Sequence, residues 1–441
     1  MPENPVAPAR LAKPPGALHN AGLMIVPYEQ RRFALAVARR LREAGFEAYW
    51  AGGCVRDRIL GRQPKDFDVA TSATPGEVRD LFGHRRTLAI GAAFGVITVR
   101  GPKPAGMIEV ATFRRDSTTS DGRRPDHVTF SSAREDAARR DFTINGLFYD
   151  PVEERVIDFV GGQEDLARGV VRAIGSPRER FAEDKLRLLR AVRFAASLDF
   201  SLESETAAAL GEMAHEITVV SPERIAMEMR RLLVEPGRGR GVRLLVEVGL
   251  AAVVLPEIVP GDAAGRERLD RAVAVLERLR QPAFPPALAA LLERMVDAEA
   301  ARAVGLRWRL SNREIDRVAW LVEHRDALTG ARRAPWSRLQ PLLVDPWIGD
   351  RLALDEAGGP ERVEEAAYCR GLLARPPEIL DPPFLLTGDD LLARGLPAGP
   401  VYKTLLERVR AAQLDGEIHS HEEALGLVER LLEGHFDQGG Q

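Results

Sequence analysis

The sequence predicts a mixed α+β head followed by a long, almost wholly α-helical remainder. Two observations carry this. Before Asp150-Pro151, short apolar runs alternate with Gly and Pro punctuation, the pattern of strands joined by turns. From Gln163 onward Ala, Leu, Arg and Glu dominate at helical spacing, with breaks at Pro222, Pro236, Pro256, Pro260, Pro282 and Pro285-Pro286. At 441 residues the chain also exceeds what one core organises, so about two to four packed units are expected.

In chain order, Met1 to Ala21 is rich in Pro and Ala and lacks the apolar core of an export signal, so a disordered leader is expected there. Tyr28 to Ala44 has apolar positions at helical spacing, and Gly45 stops it. Phe46 to Trp50 reads as a short buried strand that runs into Gly52-Gly53. Phe67–Ala70, Gly95–Val99, Met107–Phe113 and His127–Phe130 are the next strand candidates. Near the C-terminus, Pro376 to Pro383 reads as a linker, Thr387 begins another helical segment, and Gly399-Pro400 opens a further helix ending at Gln413 to Gly416.

Composition narrows the class. Hydrophobic residues make up 45% and charged residues 29%, as in a globular protein. No apolar run approaches the roughly 20 residues that cross a bilayer, so no membrane partner is expected. Cys54 and Cys369 are the two cysteines, and two free thiols of a cytoplasmic protein are expected. The net charge of −3 neither announces nor excludes a nucleic-acid partner, because phosphate contact depends on a local basic stripe.

The chemistry gathers in the first half. Gly52-Gly53-Cys54-Val55-Arg56-Asp57 joins a strand to a helix, and the missing Cβ atoms let backbone approach a ligand closely. Then comes Lys65-Asp66-Phe67-Asp68-Val69-Ala70. Residues two apart on a strand share a face, so Asp66 and Asp68 point together and repel unless a cation sits between them. Hard oxygen ligands beside phosphates suit Mg²⁺. Glu109, acidic in the apolar strand Ile108-Glu109-Val110-Ala111, is a third carboxylate that would complete a two-metal clamp for phosphoryl transfer. Alone, a Gly-Gly pair is a turn and a D-x-D is a solvated edge. Their joint order is what points to a site.

Two further motifs follow. Arg139-Arg140-Asp141-Phe142-Thr143-Ile144-Asn145-Gly146 supplies Arg140 for a phosphate, and Asp141 and Asn145 for a ribose hydroxyl. Its plainer reading is a helix N-terminus capped by Asp141. Arg180 to Arg193 reads as one helix with Leu186, Leu189 and Val192 as its buried stripe. Asp184, Arg187, Arg190 and Arg193 recur every three residues on another side. Three arginines in a ladder repel one another, which is easier to explain if an anion lies along them. The plainer reading is a solvated salt-bridge helix.

Gly52 to Thr71 resembles the first signature of class II nucleotidyltransferases of the DNA polymerase β superfamily, which holds bacterial CCA-adding enzymes and poly(A) polymerases. The resemblance implies that Asp66 and Asp68 hold Mg²⁺ with Glu109 as third carboxylate, and that Gly53 and Arg56 contact the nucleotide. The Arg139 motif is similar to the family's second motif. Glu183-Asp184-Lys185-Leu186-Arg187 is similar to its E-D-x-x-R motif, an amino-acid template for the incoming base. Asp184 would accept from the exocyclic amine of C or A, Arg187 would donate to the ring acceptors, and Arg190 and Arg193 would bind nucleotide phosphates.

The implied fold is an α+β nucleotidyltransferase head with a mixed β-sheet, followed by an elongated all-α neck, body and tail. The expected bounds are 1–27 leader, 28–160 head, 161–235 neck, 236–380 body and 381–441 tail. The polar segment Arg114 to Asp126 occupies the position of the family's flexible loop. Asp158 to Gly162 looks like a hinge and Ser221-Pro222-Glu223-Arg224-Ile225 like a capped helix start, both structural. The implied partners are ATP, CTP and the 3′ end and acceptor region of tRNA. A poly(A) polymerase or A-adding enzyme is the alternative within the family, and a catalytically dead RNA-binding protein the alternative outside it.

Overall fold

The computed structural model describes residues 27–116, 128–396 and 399–437. The expected leader and most of the Arg114–Asp126 loop therefore lie outside the described residues. The chain forms two compact units, one reaching Leu166 and the other running from Ala167 onward.

In the first unit, helix α1 (Pro27–Glu43) buries Ala34, Val37, Ala38 and Leu41, the spacing of one helical face, and ends before Gly45 at φ +90°. Strand β1 (Ala48–Ala51) leads through Gly52 into helix α2 (Gly53–Ile59). Next are β2 (Asp68–Thr71), α3 (Pro75–Phe82), β3 (Thr87–Leu88), β4 (Val96–Arg100) and β5 (Met107–Thr112). A small separate ribbon pairs β6 (Arg114–Asp116) with β7 (Val128–Phe130). Helix α4 (Ala133–Ala138) precedes β8 (Phe148–Asp150) and β9 (Arg155–Ile157).

The main sheet has seven strands in the order β3-β4-β5-β2-β1-β8-β9. It is mixed, as the sequence predicts, because β2 and β5 run parallel while its other pairs are antiparallel. Strand β1 sits inside the sheet and packs aromatics on both faces. Trp50 meets Phe67 edge-on at 4.9 Å and Tyr149 at 5.5 Å, while Tyr49 lies 6.1 Å from Phe113 and from Phe148. Strands β3, β6, β8 and β9 were not anticipated. Each is two or three residues long, too short to show an alternating pattern.

Among its described residues the second unit is helical but for one parallel pair, Val170–Val171 with Ser201–Leu202. Helix α5 (Gly162–Arg168) leads into it, followed by α6 (Pro177–Glu183), α7 (Leu186–Leu198), α8 (Ser204–Met213) and α9 (Pro222–Val234). The single helix expected over Arg180–Arg193 is in fact two. Asp184 adopts extended backbone (φ −149°, ψ 104°) between α6 and α7, because its side chain takes the amide of Leu186 at 3.1 Å and starts the second helix. Helices continue to Asp437, and Pro400 opens one of them as expected. None of the described helices is long and apolar enough to cross a membrane. Both cysteines are free and buried.

Candidate active site

Gly52 is the first constraint. Its backbone, at φ +71° and ψ −127°, is open to glycine and strained for any L side chain, and an added Cβ would lie 3.1 Å from Arg140 Nη1. The turn thus brings β1 into α2 directly beneath a guanidinium. Cys54 packs under it, its Sγ donating to the Ala51 carbonyl at 3.3 Å. Burial pushes that thiol up to about 12, so it stays protonated and inert as a nucleophile.

The sheet register sets the acidic groups. Asp68 opposes Glu109 across the parallel β2–β5 pair and Ala51 across the antiparallel β1–β2 pair. Asp66 precedes β2, yet the alternation holds, with Phe67 buried at 5% exposure between two exposed aspartates. Although Asp68 reaches the surface, the protein packed around its carboxyl desolvates it, and that desolvation, then the charges of Asp66 and Glu109, pushes it up to about 7 against the pull of Arg140. A carboxylate raised by two acidic neighbours is a place where a cation would relieve repulsion. Among the described residues no three His, Cys, Asp or Glu side chains converge closely enough to hold a metal unaided. The fit to a cation rests on the charge of Asp66 and Glu109 bearing on Asp68, and Mg²⁺ commonly takes carboxylates together with water and phosphate oxygens.

The second motif folds into a hydrogen-bonded chain. Arg56 Nη1 donates to Asn145 Oδ1 at 2.8 Å, and Asn145 Nδ2 donates to Asp141 Oδ1 at 3.1 Å. Asp141 also accepts from the Phe142 amide at 2.8 Å, and Thr143–Asn145 forms a single 3₁₀ turn. Asp141 therefore does not cap a long helix. Arg56 also lies 2.8 Å from Asp57.

Sequence reasoning overlooked Asp136. It is 1% exposed and binds two guanidiniums, Arg139 at 2.7 Å and Arg140 at 3.0 Å. Burial pushes its pKa up, but Arg140 and Arg139 more than offset this and hold it below the usual value. The available signal was an acid three and four residues before an Arg-Arg pair, behind the Ser132–Glu135 capping box.

In the helical unit, Asp184 Oδ2 accepts from Arg224 Nη2 at 2.9 Å, and Arg187 Nη1 donates to Glu183 at 2.6 Å and to the Arg180 carbonyl at 2.8 Å. Arg224 belongs to the segment read as merely structural. Ser221 does occupy the N-cap of α9 with Pro222 behind it, though its side chain makes no cap hydrogen bond.

Part of the arginine ladder meets an acid inside the protein. Glu228 of α9, 3% exposed, receives Arg193 Nε at 2.7 Å and lies 3.7 Å from Arg190 and 3.5 Å from Arg231. Arg193 is buried over the Phe194 ring at 4.2 Å, and burial lowers its pKa despite Glu228. An acid from a neighbouring helix, invisible in local spacing, thus offsets part of the ladder's charge. Arg193 is held against Glu228 and 3.8 Å from Glu235.

Paired acidic strands beside a Gly-Gly turn mark the head of a nucleotidyltransferase. Residues 48–172 match the family described as "Poly A polymerase head domain", and residues 199–260 match "Probable RNA and SrmB- binding site of polymerase A". The CCA-adding enzyme of Geobacillus kaustophilus is 34% identical over 415 residues, covering 92% of this chain and 97% of that protein. The CCA-adding enzyme of Lactobacillus gasseri is 34% identical over 400 residues, covering 89% and 95%. The crystal structure of the Bacillus stearothermophilus CCA-adding enzyme in complex with CTP aligns with a TM-score of 0.74 at 29% identity, covering 94% of this chain and 100% of that one. The Thermotoga maritima CCA-adding enzyme complexed with tRNA shares the fold, with a TM-score of 0.62 at 23% identity over 91% of this chain and 95% of that one. The chain belongs to the CCA-adding enzyme family.

Proposed function

We propose that this protein adds CCA to the 3′ end of tRNA from CTP and ATP. The observation that carries the reading is the pairing of Asp68 with Glu109 on adjacent parallel strands, with Asp66 close enough to raise Asp68. The full-length likeness to CCA-adding enzymes supports the substrate class.

In this reading the 3′-hydroxyl of tRNA attacks the α-phosphorus of CTP or ATP in line. The new phosphodiester forms as the bond to pyrophosphate breaks, and the hydroxyl proton is released. Asp66 and Asp68 would hold Mg²⁺, with Glu109 as third carboxylate. When bound, the metal supplies charge neutralisation and lowers the pKa of the attacking hydroxyl. Gly53 and Arg56 contact the nucleotide, and the Asn145–Asp141 chain holds Arg56 in one orientation. Arg140, anchored by Asp136, contributes positive charge beside the carboxylates. Asp141 and Asn145 contact the ribose with the hydrogen-bonding capacity left beyond that chain.

Asp184 and Arg187 read the base edge, and each is already oriented by a protein partner, Arg224 and Glu183. A site built to hydrogen-bond one donor–acceptor pattern rejects bases that leave its polar groups unpaired. Arg190 contributes charge toward the phosphates. The expected domain bounds of 28–160, 161–235, 236–380 and 381–441 remain part of this proposal, and so does placement in the cytoplasm.

The test is extension of three tRNA transcripts, ending before CCA, after C and after CC, with CTP, ATP or both. Completion of all three to CCA and then a stop supports the proposal. Addition of A to the CC-ended transcript alone makes it an A-adding enzyme, and an unbounded A tract makes it a poly(A) polymerase. No incorporation with Mg²⁺ present leaves an RNA-binding protein.

A further inference from the structure

We infer that the helical unit contains a separate phosphate-binding pocket, built on the Ala263–Arg278 helix. That helix carries Arg268, Arg271 and Arg278 along one side of a cavity of about 430 Å³. Arg294, just past the Phe284–Leu292 helix, and Arg362, in the Pro360–Leu373 helix, line the same cavity, and Glu293 is the one acid in its wall.

The acids nearby balance only part of this charge. Glu293 is 1% exposed and binds the equally buried Arg351 at 2.8 Å. Asp355 binds Arg351 at 3.0 Å and Arg362 at 3.1 Å. Asp326 binds Arg362 at 2.6 Å and Arg294 at 2.9 Å. These carboxylates are thus occupied by the inner wall. On the outer wall, Arg271 meets only Glu267, at 3.7 Å with both side chains about two-thirds exposed. Arg278 donates to the Ala357 carbonyl at 3.1 Å, and Arg268 has no hydrogen-bond or ion-pair partner among the described residues.

Two properties point to a phosphate ligand. The first is the repulsion along one helix face, which the exposed Arg271–Glu267 pair offsets only in part and an anion relieves. The second is preorganisation. Arg362 is held by Asp326, Asp355 and the Arg325 carbonyl at 2.8 Å, so its guanidinium is already ordered before a ligand arrives. Guanidinium forks match phosphate oxygens in pairs. The ligand class rests on the proposed function, which brings two phosphate sources to this protein, the RNA backbone and free pyrophosphate.

The test uses the full-length protein and the double variants Arg268→Gln/Arg271→Gln and Arg268→Lys/Arg271→Lys. Both positions are exposed, so folding is preserved. Binding of a CC-ended tRNA transcript is measured by anisotropy between about 50 and 200 mM salt, and binding of inorganic pyrophosphate by calorimetry in EDTA. The expected result is tRNA affinity about tenfold weaker in the Gln variant, with the log–log salt slope reduced by about one to two, and a smaller loss in the Lys variant, which keeps the charge and the salt slope but not the guanidinium fork. Unchanged tRNA binding with loss of pyrophosphate binding assigns the pocket to the free anion. Unchanged binding of both overturns the inference. A wild-type protein that binds tRNA but never extends it defeats the proposed function and leaves this test standing.

Discussion

Asp68 and Glu109 are direct partners across two parallel strands, although α3, β3 and β4 intervene between them in the chain. Their side-by-side position follows from the β2–β5 register and gives the head its concentration of negative charge.

Asp66→Ala removes a proposed cation ligand from an exposed position, so the fold should persist. Nucleotide addition should fall on the order of a thousandfold, as when an electrostatic contact to the transition state is lost. Affinity for tRNA, measured by filter binding, should stay within about threefold of wild type, because phosphate contacts elsewhere dominate it. Retained turnover would sink the site assignment.

Metal-free protein should lose stability as pH rises from about 4 to about 7. Asp68 has its pKa raised from 3.8 to about 7 by burial, Asp66 and Glu109, so the folded state holds a proton that the unfolded chain gives up. Stability therefore falls as pH climbs through that window. Urea unfolding in EDTA should show the decline, Asp68→Asn should flatten it, and Mg²⁺ should restore stability at pH 7.5. A Mg²⁺-insensitive midpoint at that pH would contradict the cation role.

Asp136→Asn strips the shared counter-charge from Arg139 and Arg140. Breaking a buried ion pair by removing one partner costs about 3 kcal/mol or more, and urea unfolding at pH 7 should read that loss. Because the folded pKa of Asp136 is depressed, its contribution is complete at neutral pH. It fades only as pH drops below the ordinary carboxylate range, so wild type and variant should converge in acid.

Arg224→Gln should leave the head chemistry intact and loosen base selection. Asp184 loses its 2.9 Å partner at Oδ2, and the acceptor that reads the exocyclic amine is then held only through the Leu186 amide at Oδ1. Discrimination of CTP and ATP against UTP and GTP, taken as the ratio of kcat/KM values, should fall roughly tenfold or more. An unchanged ratio with lowered stability would make Arg224 a packing residue.

Much of this protein was legible locally. The alternation of Asp66, Phe67 and Asp68, the Gly52 turn and the Pro-led helix starts follow from a strand period of two, from glycine's access to positive φ and from cap chemistry, all of which act within a few residues. What the tertiary structure alone decided were the partners. Glu109 meets Asp68 because β5 inserts parallel to β2. The spacing of Asp136 to Arg139 and Arg140 was local, and the tertiary structure decided only that this acid is buried. Glu228 of α9 pairs with Arg193 of α7, and Arg224 of α9 reaches Asp184 at the α6–α7 junction. Local spacing sets which way a side chain points. Which charge it meets depends on sheet order and helix packing between segments far apart in the chain, and in these places the burial of apolar faces selected the neighbour.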